Sequence, residues 1–236
     1  MSVVTIHQPE HLPWLGFLDK TRQADVVVLL DSVQFKKNYF ENRNKIRTAN
    51  GWAWLTVPVF IKGKFGQNIS DVMIKEESRW REVYYRTLHQ NYSKAPYWNE
   101  YGPFFEKICA RPWERIVDLN LEIIRFLWTS FGIFPRIVLG SELGIQGKGS
   151  GLLLEICKAL EAKEYISGPS GRDYLDESLF HTEGIRVRYH QFLHPEYRQC
   201  HSPFVPGLSA LDLLMNEGPR SLEILGHRSK STTTGQ

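Results

Sequence analysis

Cysteine is scarce in this chain: Cys109, Cys157 and Cys200 are three among 236 residues, far apart and odd in number. That excludes a disulfide framework and suits a reducing compartment. Long hydrophobic runs are missing as well. No apolar stretch approaches the roughly 20 residues that a membrane-spanning helix needs. The opening Met1-Ser2-Val3-Val4-Thr5-Ile6-His7 has neither the basic segment nor the apolar core of a secretory signal. The expected location is therefore the cytoplasm. A strong charge of either sign is absent too. Lys and Arg number 29 against 26 Asp and Glu, leaving +3, which is too little to steer the whole molecule to nucleic acid. Disorder is excluded by composition, because 42% hydrophobic and 23% charged residues provide the apolar surface of a folded chain.

What is present is a repeated alternation of strand and helix patterns. Val3-Val4-Thr5-Ile6 ends abruptly in His7-Gln8-Pro9, a strand reaching a sheet edge. Leu15 to Ala24 follows the Pro13 turn as a helix, and Val26 to Leu30 is an unbroken aliphatic run. Such a run fits a strand covered on both faces, as in a parallel sheet. Trp52 to Val59 alternates like a strand. A helix capped by Ser78 is expected over Arg79 to Gln90, and another over Trp113 to Phe131, closed by Gly132. A second strand–helix–strand unit covers Arg136–Leu139, Leu152–Leu160 and Glu164–Ser167. Ile185–Tyr189 adds a strand, and Ser209 caps a last helix. The predicted fold is α/β: a Rossmann-like, mostly parallel sheet with flanking helices and a helical insertion at about 70–132. Residues 1–225 form one domain, and 226–236 read as a disordered polar tail.

Strands that run parallel end at one edge, where open α/β sheets bind ligands. His7 and Gln8 follow the first strand, and an imidazole there can act as general base or hydrogen-bond donor. Asp31 closes the second strand, placed to orient His7 or to bind substrate. The stretch after it reads as a basic loop, in which Lys37, Asn38, Asn42, Arg43 and Lys45 mix cationic and amide donors suited to phosphate or polyol. Lys148 sits among glycines before a helix and could neutralise charge as that loop closes. Ser170, Arg172 and Asp173 occupy the turn after another strand. No metal is predicted: His194-Pro195-Glu196-Tyr197 and Cys200-His201 match no zinc spacing. No Gly-x-Ser-x-Gly elbow supports a serine triad. The sequence requires no cofactor. Trp14 belongs to the candidate binding set, and with Trp52, Tyr97 and Trp98 it could instead form an exposed aromatic platform.

Several motifs in one order add a family likeness. Ile6-His7-Gln8-Pro9, Leu12-Pro13-Trp14-Leu15-Gly16-Phe17, Asp31-Ser32-Val33-Gln34-Phe35, Asn42-Arg43-Asn44-Lys45-Ile46 and Trp54-Leu55-Thr56-Val57-Pro58 resemble the WbqC-like family. Ser167 to Leu175 and Leu208 to Asp212 extend the likeness, which runs from about Val4 to Gly218. Glu10-His11 and Ser32 depart from the pattern, which makes His7 the better candidate than His11. Members resemble products of bacterial O-antigen and surface-polysaccharide (lipopolysaccharide) gene clusters. The resemblance implies a cytoplasmic transferase that moves an acyl or aminoacyl group from a donor to the amine of a nucleotide sugar. His7 and Asp31 would be its catalytic pair. Two other readings stay open. One is a nucleotidyltransferase-like or adenylate-forming enzyme using ATP, although the usual histidine–glycine–histidine spacing is missing. The other is a non-catalytic carbohydrate- or partner-binding protein. The expected ligand is a nucleotide sugar, with no nucleic acid and no membrane span, and the reading admits a homodimer.

Overall fold

The structure, a computed structural model, describes residues 2–226. The tail expected at 226–236 lies outside the described residues beyond Gly226. Five strands form one parallel sheet: β1 (Ser2–His7), β2 (Val26–Leu29), β5 (Arg136–Leu139), β6 (Ala162–Ser167) and β7 (Arg186–Tyr189). Their spatial order is β5-β2-β1-β6-β7. The α/β expectation holds, and the register places His7 beside Leu29 at the carboxyl edge.

The helices lie on both faces. Val27 and Leu29 point into a core shared with α1 (Leu15–Thr21), α4 (Ile116–Ser130), α7 (Ala210–Glu217) and Leu225 of α8 (Ser221–Gly226). Val26, Val28 and Leu30 point the other way, towards α5 (Gly149–Ala159) and Phe180 of α6 (Glu177–Thr182). The aliphatic run does not alternate because both of its faces are buried. Helix α1 is buried at every residue. Phe17 stacks on Trp128 of α4, whose indole N–H donates to Thr21 at 2.9 Å.

Between β2 and β5 the chain forms a two-stranded antiparallel hairpin, β3 (Arg43–Thr48) and β4 (Gly51–Thr56), followed by α2 (Trp80–Tyr92), α3 (Trp98–Ala110) and α4. The hairpin corrects the basic-loop reading of Asn42 to Lys45. Asn44 turns inward and donates to the carbonyls of Leu12 and His11, at 2.8 and 3.2 Å. Polar Asn44 and Arg47 fill buried positions of β3, so the segment looked like a solvated loop. Ser78 is not a helix cap either: its hydroxyl donates to the Lys75 carbonyl at 2.6 Å, and α2 begins at Trp80. Ser209 does cap α7, accepting from the Leu211 N–H at 3.2 Å.

The aromatic platform does not form as one surface. Trp98 is buried against Tyr85 and His89, and Trp14 packs edge-on to Phe192. Tyr97 covers Gly218, where any Cβ would meet its ring at 2.4 Å. Of the four, Trp52 is the exposed one.

Candidate functional site

After β1 the chain steps to β2 on one side, and from β5 it crosses to β6 on the other. The sheet therefore reverses its direction of growth between β1 and β6, at their carboxyl ends. Ligands bind at such switch points because the flanking loops diverge and leave a crevice. A cavity of about 670 Å³ lies there. Its walls come from His7 and Gln8 after β1, from Gly168 to Gly171 after β6, from Trp14 and Lys20 of the α1 segment, and from Lys36, Tyr39, Phe40 and Glu41 ahead of the hairpin.

Four predicted residues meet in this cavity: His7, Gln8, Trp14 and Ser170. The His7 ring stands edge-on to Phe17, its centroid 5.0 Å away. Its Nδ1 lies 3.0 Å from the Gln8 carbonyl oxygen, so Nδ1 carries the hydrogen and Nε2 keeps its lone pair. Nε2 faces Glu10 Oε1 at 3.7 Å. Burial, with the Lys20 charge behind it, pushes His7 down to about 3, so the ring is neutral near pH 7.

Sequence reasoning missed the acids and the base around it. Glu10 is 7% exposed and Glu41 1%. Burial pushes Glu10 up to about 8, against the pull of Lys20 and with help from Glu41. Burial likewise raises Glu41 above its ordinary range. Glu10 Oε2 and both carboxylate oxygens of Glu41 are buried without a hydrogen-bond partner. Buried polar atoms are nearly always satisfied in folded proteins, so unpaired oxygens on a cavity wall mark where ligand donors fit. Lys20 is 3% exposed, and burial brings its ammonium down to about 7 while Glu10 pulls it up. Glu10 stood in a family departure, and Lys20 in the helix expected over Leu15 to Ala24, where no site residue was predicted. The coverage of α1 by α4 is a long-range fact with no local signal.

The other candidates sit elsewhere. Asp31 is buried with both oxygens engaged by Ser141, whose N–H and Oγ–H donate at 2.8 and 2.7 Å. It ties the end of β2 to the turn after β5, and the acid facing His7 is Glu10. Lys37 and Asn38 are exposed on the turn after β2, and the lysine that lines the cavity is Lys36. Asn42 donates to the Val57 carbonyl at 2.8 Å. Arg43 donates to the Asn38 carbonyl and stacks on Trp54, and Lys45 stacks on Trp52, along the hairpin. Lys148 and Asp173 are exposed, and Arg172 lies over the Tyr189 ring at 4.3 Å. His11 is fully buried between Asn120 and Tyr84, at 2.9 and 3.0 Å, and burial pushes it down to about 4. Among the described residues no three His, Cys, Asp or Glu side chains converge to hold a metal ion.

The model of the WbqC-like protein family matches residues 8–224, which take in the sheet from β2 onward, the helices between β2 and β5 and most of the cavity lining. The chain belongs to the WbqC-like family. It is also 32% identical over 227 residues to the uncharacterised protein Rv1507c of Mycobacterium tuberculosis, a match covering 95% of this chain and 98% of that one. No solved structure matches the chain. No described helix of this WbqC-like protein is long and apolar enough to cross a membrane.

Proposed function

We propose that this WbqC-like protein is an enzyme of surface-polysaccharide assembly that transfers an acyl or aminoacyl group to the amine of a nucleotide-linked amino sugar. One observation carries the reading: the switch-point cavity joins a proton-handling pair, His7 and Glu10, to the unpaired carboxylate oxygens of Glu10 and Glu41. Hydroxyls and an amine are the donors those oxygens lack. Lys36 on the cavity wall suits a diphosphate. The likeness to polysaccharide-cluster proteins supports the same substrate class.

In this mechanism the acceptor nitrogen attacks the donor's acyl carbon, the new C–N bond forms, and the amine gives a proton to His7 Nε2. Gln8 holds the ring in the tautomer that can accept it. Glu10 first donates to the leaving group and, once ionised, stabilises the imidazolium. Glu41 fixes the sugar. Asp31 acts at one remove, by shaping the edge of β2.

A thermal-shift panel of dTDP- and UDP-amino sugars, acyl-CoAs and ATP with Mg²⁺ tests the substrate class. A ligand at 100 times its Kd stabilises the fold by about 2.7 kcal/mol. The expected result is a shift with an amino-sugar nucleotide that Glu41→Gln weakens about tenfold, or about 1.4 kcal/mol. His7→Ala should retain binding and lose transfer. A shift with ATP alone would replace this reading with an adenylate-forming one. Amino-sugar binding with no acyl transfer from any donor would leave a carbohydrate-binding protein.

A further inference from the structure

Among the described residues Lys20 alone of the lysines is buried. A buried lysine that serves structure is paired with a carboxylate, because an uncompensated ammonium costs several kcal/mol. Lys20 is not used that way. Its Nζ donates to a neutral acceptor, the Ile6 carbonyl at 3.2 Å. Glu10 and Glu41 line the same cavity with three oxygens unpaired. Among the described residues no ion pair joins Lys20 to Glu10 or Glu41, although all three line one cavity.

We infer that Lys20 Nζ is a covalent site of the cavity, an amine nucleophile that condenses with the aldehyde or ketone carbon of a small ligand to form an imine. Three requirements of that chemistry meet here. The nucleophile must be neutral, and burial brings Lys20 down to about 7, so about half of it is free amine at pH 7. An acid must be at hand, and Glu10, pushed up to about 8, still carries its proton there. The ligand needs room, and the cavity offers about 670 Å³.

The step balances without an oxidant or reductant. The Nζ lone pair attacks the carbonyl carbon, and the C=O π pair moves to oxygen, which takes the Glu10 proton. The Glu10 carboxylate then removes a proton from the charged nitrogen, giving a neutral carbinolamine and a restored acid. Glu10 protonates the hydroxyl a second time, water leaves, and the nitrogen lone pair closes the C=N bond. The last N–H proton returns to Glu10. One amine and one carbonyl become one imine and one water. This inference goes beyond acyl transfer, since it engages a carbonyl carbon of the ligand and holds whether or not an amine is acylated.

The test uses the whole chain, acetaldehyde as the probe and cyanoborohydride to trap the imine, with adducts located by peptide mass spectrometry. At pH 7 Lys20 should be alkylated about tenfold faster than the exposed Lys37, Lys148 and Lys163. Its rate should peak between pH 7 and 8, where Lys20 is largely free amine and Glu10 still holds its proton, and should fall above that, while the surface lysines keep accelerating. Glu10→Gln should slow the Lys20 adduct alone. Alkylation of Lys20 no faster than that of the surface lysines would overturn the inference, and so would indifference to Glu10. No nucleotide sugar enters this experiment, so it and the acyl-transfer reading can fail separately.

Discussion

At the scale of single residues, the cavity is a place where the fold works against itself. Glu10 titrates near 8 instead of its ordinary 4.5, so the folded chain holds its proton more tightly than the unfolded one. Its contribution to stability is complete below pH 4.5 and is lost as the pH rises through 8. Lys20 moves the opposite way, from 10.5 to about 7, and its contribution is present above 10.5 and lost as the pH falls through 7. Near pH 7.5 both groups therefore oppose folding. Glu10→Gln, which keeps the shape and removes the titration, should raise stability at pH 8 on the order of 2 kcal/mol, a gain that shrinks towards pH 5. Thermal melts of the two proteins across that range check it, and a pH-independent difference would contradict the burial argument. A residue that destabilises the protein it belongs to is explained by what it binds.

At the scale of elements, the question is what holds two acids in place on loops. Asn120 of α4 does so by reaching across the insertion. Its amide N–H groups donate to the Glu41 carbonyl at 2.7 Å and the Pro9 carbonyl at 2.9 Å, and its oxygen lies 2.9 Å from His11 Nδ1. One side chain thus fixes the backbone at Glu41 and next to Glu10. Asn120→Ala leaves two buried carbonyls and the Nδ1 of His11 unpaired, and should cost roughly 2–3 kcal/mol. It should also weaken ligand binding in the fraction that stays folded, measured by calorimetry at a temperature well below the melt. Much of the frame that α4 braces was legible locally. The run Val3–Ile6 read as a strand ending at a sheet edge, Val26–Leu30 as a strand covered on both faces, and the helix expected over Trp113 to Phe131 buries Ile116, Leu119, Ile123, Ile124 and Leu127 as an apolar stripe. Helix α3 was not, since its Pro103 and loop-like aromatics masked the periodicity. The hairpin was hidden by the inward Asn44 and Arg47. His7, Gln8, Trp14 and Ser170 could be placed from strand ends alone. Glu10, Lys20 and Glu41 could not, because their meaning comes from burial by segments far away in sequence.

At the scale of the whole molecule, a second polar centre ties the hairpin, the insertion and the last helices together without touching the ligand cavity. Arg47 of β3 is 1% exposed, and its guanidinium donates to the carbonyls of Thr48, Gly51, His201 and Pro203 and to Gln199 Oε1. Gln199 in turn donates to Asp212 of α7 at 2.8 Å, and the hydroxyls of Tyr92 and Tyr197 donate to the same carboxylate at 2.9 and 3.0 Å. Burial raises Asp212 to about 6 although those three donors and Arg47 pull it down. Among the described residues Arg47 forms no direct ion pair, so Asp212, whose carboxyl its charge pulls down, is the counter-charge of this centre. Asp212→Ala removes it and strands three buried donors, which should cost roughly 3 kcal/mol in urea unfolding. Asp212→Asn keeps one acceptor oxygen and removes the ionisation, so it should cost less, and its deficit should shrink as the pH rises from 4 to 7, because the folded Asp212 loses stability as the pH climbs through 6. Neither change should alter the affinity of the folded protein for a cavity ligand. If Asp212→Ala weakened binding as much as Glu41→Gln does, the two centres would be one coupled network, and the assignment of structure to one and recognition to the other would have to be given up.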